Sequence, residues 1–584
     1  MKRYWLSSGA WLLLWCSQVT ADPSVNVPLD HWGYGFVERF EARGILRGTG
    51  DGIKPLSRRE MARLLGEIER VREQGRELTV VDADDLKRLQ AEFAAELQKM
   101  DGPADQKPPP VPAMGWYQYR SPEGQFAVDG LFRQQSDLFD GRGRTRGERI
   151  YRNQVGGVVQ GDFMDRVGFR ISFAQTREQG SRSYYLRDDV YERRLEFPQL
   201  KGGVVDFHEG SAYLTFSWGF VDVEMGKDQL NWGPAPTDNL GLSANAPSFD
   251  LIRLRAMYGA FKLVSVTGFL RACPDRPDTP LCGGDGDLAA SYIVNGTARR
   301  LERDKHLAAH RLEVAVAPWL DLGFEEMVIY GDRGLEFSYL NPVMFYWAAQ
   351  SYLGDKDNVL MGLDADLHPG HGVRAYLAYV VDDLKKARIF SSDFANKFSF
   401  QAGGLWVDPV GLRDSELRAE YVRIEPWIYT HKYPINTYRH FDAPLGHSLG
   451  PNSDRWQLGV RRRFPGGWGL GVRMSRTRHG DNQLLPDGTI LNVGGDLHLG
   501  WRPGDEQEQK TFLAGQVSRR TLLEAEGWWR IRSHLHLALG YGYEWGSGVP
   551  LPPRWGGGVA LRNRTGYGGG RQRHLSFDLR YGWR

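Results

Sequence analysis

From Gly115 onward the chain sets apolar and polar side chains in turn, and this period of two restricts the fold more than any other feature. Leu535, Leu537, Leu539, Tyr541, Tyr543 and Trp545 alternate with His536, Ala538, Gly540, Gly542 and Glu544. Val167, Phe169, Ile171 and Phe173 do the same against Gly168, Arg170, Ser172 and Ala174, and Met361, Leu363, Ala365 and Leu367 against Gly362, Asp364, Asp366 and His368. The last run sets Phe577, Leu579, Tyr581 and Trp583 against Asp578, Arg580 and Gly582. Most runs approach the roughly 9–11 residues with which a tilted strand crosses a bilayer.

A soluble sandwich or propeller also alternates, so the chemistry of the second face decides. That face carries Arg, Asp, Glu, Gly and His, which suits a wet lumen, while the first stays apolar in strand after strand. Aromatics make up 12% of the chain, with 71 Gly and 19 Trp, a composition that fits a barrel with interface girdles better than a soluble α/β enzyme. The net charge of +2 gives no reason to expect nucleic acid. Short turns are expected at Phe163-Met164-Asp165, Ala317-Pro318-Trp319, His368 to His371, Asp408-Pro409-Val410-Gly411 and Pro465-Gly466-Gly467. Long polar loops are expected near residues 177–209, 271–306, 332–356, 424–454 and 545–571. Residues 115–584 are therefore predicted to form a transmembrane antiparallel β-barrel of about 18 strands, in a mainly β chain, with its long loops outside the cell.

The N-terminal part reads differently. Lys2 and Arg3, the apolar stretch from Trp5 to Val19 and the small residues of Val19-Thr20-Ala21 predict a signal peptide over 1–21. A retained anchor is the alternative, but the run is shorter than a spanning helix needs, and no later run reaches about 18 apolar residues. Residues 22–100 predict a small helical domain in the periplasm. Trp32, Phe36, Val37 and Phe40 fall at helical spacing before Gly44, and Ser57-Arg58-Arg59-Glu60 forms a capping box ahead of Met61, Leu64, Leu65, Ile68 and Val71. A third helix opens over Asp82 to Asp85 with Leu86, Leu89, Phe93 and Leu97 on one side. Residues 101–114, with Pro108-Pro109-Pro110, read as a linker. Beyond the signal peptide the cysteines are Cys273 and Cys282, close together in a Pro/Gly/Asp-rich loop. They are a candidate disulfide in an oxidising compartment, with free thiols as the alternative.

Several stretches resemble the Wzi-type capsule-assembly family of outer-membrane barrels. They are Asn231-Trp232-Gly233-Pro234 with Leu242 to Pro247, His310-Arg311-Leu312-Glu313 with Leu322 to Gly331, Tyr339-Leu340-Asn341-Pro342, and Leu445 to Asp454. The resemblance implies an 18-stranded barrel plugged or capped by a helical part, and lectin-like attachment of capsular polysaccharide to the cell surface. Asp30-His31-Trp32, Gly44-Ile45-Leu46, Asp51-Gly52, Pro55 and Ser57 to Glu60 resemble one S-layer-homology module. That resemblance implies either contact with a cell-wall polymer such as peptidoglycan or simple packing beneath the barrel.

Within the loop from Pro426 to Asp454, Trp427, Tyr429, Tyr433, Tyr438, Arg439 and His440 are the candidate polysaccharide-binding residues. Aromatic faces stack on the C–H faces of sugars, and Arg and His donate to hydroxyls and acidic groups. Rings near strand ends also build interface girdles or pack loops, and that alternative stays open here. Phe345-Tyr346-Trp347 forms a second aromatic cluster under the same choice. Glu302, His306, His310 and Glu313 look like metal ligands, but on a strand residues four apart stand about 13 Å apart, so no metal site is expected. Glu325-Glu326 breaks the alternation, for which a bulge or a rim position is the expected cause. The expectation is thus a protein of the outer membrane that is not an enzyme, needs no cofactor, and has surface polysaccharide and membrane lipid as partners. A general or sugar-selective porin and an outer-membrane hydrolase are the alternatives.

Overall fold

The computed structural model describes residues 24–100, 116–121, 123–141, 147–164, 166–181, 199–201, 203–272, 288–295, 297–383, 391–441, 443–505, 509–532, 534–547 and 570–582. The expected signal peptide and Pro-rich linker, Cys273, Cys282, Trp583 and Arg584 lie outside them.

Eighteen antiparallel strands close into a barrel. In chain order they are β1 (Gly124–Gly141), β2 (Glu148–Phe163), β3 (Val167–Gly180), β4 (Val204–Trp218), β5 (Val221–Asp228), β6 (Phe249–Tyr258), β7 (Phe261–Phe269), β8 (Lys305–Ala317), β9 (Leu320–Gly331), β10 (Asn358–Gly370), β11 (Val373–Asp383), β12 (Lys397–Val407), β13 (Ser415–Ile424), β14 (Ser453–Phe464), β15 (Trp468–Asp481), β16 (Gln516–Arg532), β17 (Leu535–Ser547) and β18 (Gly570–Tyr581). Each pairs with its neighbours in sequence, and β18 meets β1 with Leu579 opposite Gln134 and Phe577 opposite Ser136. Closure leaves no edge strand, which is the condition for a sheet to sit in lipid.

The alternation sets the faces as expected. Ile171, Leu363, Leu539, Tyr541 and Leu575 point outward and stay exposed, forming an apolar band. Phe464 and Trp468 stack at 4.0 Å beside a short turn, and Trp529 lies nearby on the same face. Among the described residues no helix is long and apolar enough to cross a membrane. Short turns gather at one end of the barrel and long loops at the other.

The N-terminal segment folds as α1 (Gly33–Ala42), α2 (Arg58–Glu73), α3 (Val80–Glu92) and α4 (Ala94–Met100) around Phe36, Phe40, Leu64, Leu65, Leu89 and Phe93. The capping box is present: Ser57 accepts from the Glu60 amide, and Glu60 accepts from the Ser57 amide at 2.9 Å. The third helix starts earlier than expected, capped by Thr79, and breaks at Phe93. Asp82 and Asp85 are not its opening caps because their carboxylates serve the barrel instead.

These helices seat on the short-turn mouth through ion pairs. Asp82 takes Arg39 at 3.1 Å and Arg43 at 2.5 Å from α1, and Arg463 at 2.7 Å from β14. Asp85 takes Arg463 at 2.7 Å and Arg530 of β16 at 3.0 Å, and the Arg530 guanidinium lies 4.0 Å from the Trp32 ring centre. Arg39 and Arg43 also reach Asp408 in the turn after β12. Glu60, in the motif that resembles an S-layer module, is turned into the barrel, where Lys262 donates to it at 2.9 Å.

Asp82 is the hub of this seat. Burial pushes its carboxyl up, but Arg39, Arg463 and Arg43 outweigh that and hold it at about 2. Asp82→Ala leaves these cations without their shared carboxylate and is expected to cost ~3–5 kcal/mol. Limited proteolysis in detergent should cut the helical segment faster while the barrel keeps its heat-modifiable migration. Because the folded value lies below the ordinary carboxylate value, the stabilisation is full above pH ~3.9 and is lost as pH falls towards ~2. The wild-type segment should loosen over that window, whereas Asp82→Asn should be weak throughout and show no such step.

Candidate functional site

The loop between β5 and β6, residues 229–248, does not extend away from the barrel but turns into it. Asn231–Trp232 pairs antiparallel with Ile53–Lys54 of the N-terminal segment, and the Gly233 amide donates to the Gly52 carbonyl at 2.8 Å. Asn239 fixes the turn, accepting from the Ala235 amide at 2.9 Å and donating to the Asn231 side chain at 2.9 Å. Arg374, on the lumen face of β11, joins the two parts: it donates to the Pro234 carbonyl at 3.0 Å and to Glu38 of α1 at 2.7 Å. A segment from the long-loop end and one from the short-turn end therefore meet inside the barrel.

The loop after β13, residues 425–452, packs on top of the first. Tyr429 donates its hydroxyl to the Leu240 carbonyl at 2.5 Å, and Tyr438 to that of Gly241 at 3.1 Å. The Ser243 amide donates to the Leu445 carbonyl at 2.8 Å, and Ser448 donates to Asp238 at 2.9 Å through its amide. A Cβ on Gly446 would lie 2.4 Å from the Leu240 carbonyl and 2.5 Å from the Tyr429 hydroxyl, so this close approach requires glycine. The Leu445 to Asp454 stretch is thus a seam between loops. Asn452 ties in the loop after β15, accepting from the Leu513 amide at 2.7 Å.

Of the six candidate residues, Trp427, Tyr429, Tyr438, Arg439 and His440 are buried in this seam, and Tyr433 alone stays open, at 45% exposure. Trp427 packs over Gly494 and donates its amide to that residue's carbonyl at 3.0 Å. Trp427 and Tyr429 hold positive φ of 75° and 70°, a conformation that bulky residues adopt only when their surroundings impose it. Arg439 donates to the Phe441 carbonyl at 2.8 Å, and His440 Nδ1 accepts from the Arg271 amide at 3.0 Å. Burial, with Lys305 and Lys227 adding to it, pushes the His440 imidazole down to about 3, so it is neutral at ordinary pH. At the loop tip the Lys432 ammonium lies 5.2 Å from the Tyr433 ring centre.

The expected wet lumen holds on β14–β18, whose inner face carries exposed pairs such as Arg461 with Glu526 and Arg473 with Glu524, and needs correction on β6–β13. At the long-loop half of β6–β13 the inner wall is apolar: Leu251, Val264, Val266, Leu307, Met327, Ile329, Leu360, Val380 and Val422 share one core with Trp232, Leu242, Tyr429, Tyr438, Leu445, Leu497 and Ile53. Charge is kept for the short-turn half, where it meets the N-terminal helices. A continuous apolar run, Met327-Val328-Ile329-Tyr330, carried the signal, because a strand buried on both faces loses its alternation. A hollow of ≈ 720 Å³ remains beside β1–β5, edged by Asn26, Arg133, Arg170, His208 and Asn245 among others.

Glu325-Glu326 is not a bulge. The register with β8 runs unbroken, pairing Arg311 with Glu325 and His310 with Glu326. Glu325 faces the lumen beside Arg311 at 3.2 Å, and Glu326 faces outward. There the loop after β9 folds down as α5 (Phe337–Leu340) and α6 (Tyr346–Tyr352), and Glu326 accepts from the amides of Tyr346 at 3.0 Å and Trp347 at 3.3 Å. Tyr339 and Tyr346 cover Ala308, Val328 and Tyr330 on the outer wall, while Phe345 and Trp347 stay exposed. The second aromatic cluster therefore straps the outside of the barrel.

Among curated proteins none matches the chain. Among solved structures, Escherichia coli Wzi, described as an outer-membrane protein of group 1 capsule assembly and a carbohydrate-binding β-barrel, aligns with a TM-score of 0.50 at 12% identity, over 95% of this chain and 99% of that one. OprD of Pseudomonas aeruginosa aligns with a TM-score of 0.39 at 10% identity, over 78% of this chain and 94% of that one, too weak a likeness to bear on this chain's role. The first likeness speaks to the fold. The family model described as capsule assembly protein Wzi matches residues 142–551, well over half of the chain. With its eighteen strands, its outward apolar band and that match, this outer-membrane β-barrel belongs to the Wzi family of capsule assembly proteins.

Proposed function

We propose that the protein holds surface polysaccharide at the cell exterior by binding it, without chemical turnover, with its long loops outside and its N-terminal helices in the periplasm. The observation that carries this reading is the apolar core that fills the lumen along β6–β13. That core joins both inward segments to the wall and holds the loop crown above it as a fixed, exposed surface. Membership in a capsule-assembly family, one of whose solved relatives is described as binding carbohydrate, points the same way.

In the loop after β13, the Tyr433 ring and the Lys432 ammonium present an apolar face and a positive charge side by side, which matches the C–H face and carboxylate of an acidic sugar. Trp427, Tyr429, Tyr438, Arg439 and His440 hold that tip in place from below. A pore would need a lumen clear of that core, and hydrolysis would need carboxylates within reach of a glycan, whereas the Glu325 and Asp364 side chains are buried with Arg311. The S-layer-like motif is engaged by the barrel wall, which supports a role in seating the helices rather than in cell-wall contact.

Two measurements test this. Cells lacking the protein should make polymer but release most of it into the medium, and Tyr433→Ala with Lys432→Ala should weaken binding of the purified protein to host capsule several-fold with heat-modifiable folding unchanged. Retained capsule, or unchanged binding, would refute the reading. In planar bilayers the wild-type barrel should pass no sizeable steady current, and replacing residues 231–246 by a short Gly/Ser linker should open one. A wild-type channel of porin size would favour transport instead.

A further inference from the structure

Arginines on the two faces of β14–β18 are treated differently. On the lumen face each finds a carboxylate: Arg461 meets Glu526 at 2.6 Å, Arg473 meets Glu524 at 2.6 Å and Arg520 meets Glu544 at 2.7 Å. On the outer face Arg476, Arg519 and Arg571 are exposed and form no ion pair among the described residues. Of the acids near them, Asp454 is taken by Arg478 at 2.9 Å, and Asp140, opposite Arg573 in the register with β1, forms no ion pair with the three among the described residues.

These arginines have a defined height and arrangement. Outward positions on β15 run Trp468, Leu470, Val472, Met474 and then Arg476; on β18 they run Phe577, Leu575 and then Arg573 and Arg571. With a rise of ~3.3 Å per residue and a tilt near 40°, Arg476 stands about 20 Å above the Trp468 girdle, at the upper limit of a ~25 Å apolar band. The register places Arg476 opposite Thr521, Thr521 opposite Trp545, and Trp545 opposite Arg571. Cation, hydroxyl, indole and cation thus stand side by side in one row across neighbouring strands, ~14 Å long at the usual ~4.8 Å strand spacing. Arg519 lies diagonally above it, and Arg476, Arg519, Thr521, Trp545 and Arg571 edge a hollow of ≈ 820 Å³.

Like charges gathered on one face of a sheet repel unless an anion bridges them. Arg is the residue suited to phosphate, which it grips in two-point fashion. We infer that this row holds a phosphorylated glycolipid of the outer leaflet, its phosphates on Arg476, Arg519 and Arg571, its sugar against Trp545 and its acyl chains along Leu470, Val472, Leu523 and Leu575. The assignment to the outer leaflet rests on the proposed orientation of the long loops; the chemistry of the row does not.

The test is native mass spectrometry of the full protein in mild detergent, titrated with purified diphosphoryl lipid A, its dephosphorylated form and phosphatidylglycerol. Wild type should retain the diphosphoryl form, and the Arg476→Ala/Arg519→Ala/Arg571→Ala variant should lose at least tenfold in affinity. Arg462→Ala, an outward arginine near the short-turn end, should bind as wild type does. Heat-modifiable migration checks that each variant is folded. Equal retention by the triple variant, by the dephosphorylated lipid or of phosphatidylglycerol would overturn the assignment, as would a loss of capsule binding with lipid retention unchanged. Orientation is read separately, from whether a cysteine at Asp487 is labelled on intact cells, so that a failure there is distinct from a failure of the row.

Discussion

A sheet of eighteen strands closed on itself encloses a hollow wide enough for a water channel, and everything else in this molecule follows from how that hollow is filled. Filling comes from both ends. The N-terminal helices seat at the short-turn mouth through carboxylates shared among several guanidiniums, and the loop after β5 descends to meet them in a two-residue strand pair. The wall is divided to match. Its inner face is charged where it receives the helices and apolar where it receives the loops, so each filler meets its own kind of surface. Burying ion pairs costs desolvation, and these are retained with several partners each, the arrangement that best offsets that cost.

Packed on the core along β6–β13, the loops above it become a rigid surface. Tyr429, Tyr438, Ser243 and Gly446 bond the two inward loops to each other, and Asn452 adds a third. A surface held this way loses little conformational freedom on binding a polymer, which favours attachment over transport. Outside, α5 and α6 strap one side of the barrel and the arginine row lies on another, so the same outer wall carries a girdle of rings and a zone of charge.

The outward half of the fold was legible in the sequence. Leu535 to Trp545 and Met361 to Leu367 alternate because one face meets lipid whatever fills the lumen, and Ser57 with Glu60 announces a helix start by local chemistry alone. The inward half was harder to read. Residues 229–248 look like any polar Gly/Pro-rich loop, and nothing local says that Trp232 will pair with Ile53 across the barrel. The site shows the same limit. Trp427, Tyr429 and Tyr438 have the composition of a sugar platform, yet most of that aromatic surface faces other loops, and only Tyr433 remains at the tip. Glu326 breaks the outward apolar pattern because its partner amides belong to a loop that folds back from outside.

The central claim is that a segment from each end of the barrel meets inside it. Lys54 and Asn231 are direct partners in that pair, and antiparallel partners have Cα atoms ~4.5–5.5 Å apart, within disulfide reach. Lys54→Cys with Asn231→Cys, in a chain whose Cys273 and Cys282 are replaced by Ser, should therefore crosslink on mild oxidation in intact membranes and shift on non-reducing gels. Two thiols that stay free and both react with a bulky aqueous reagent would contradict the account.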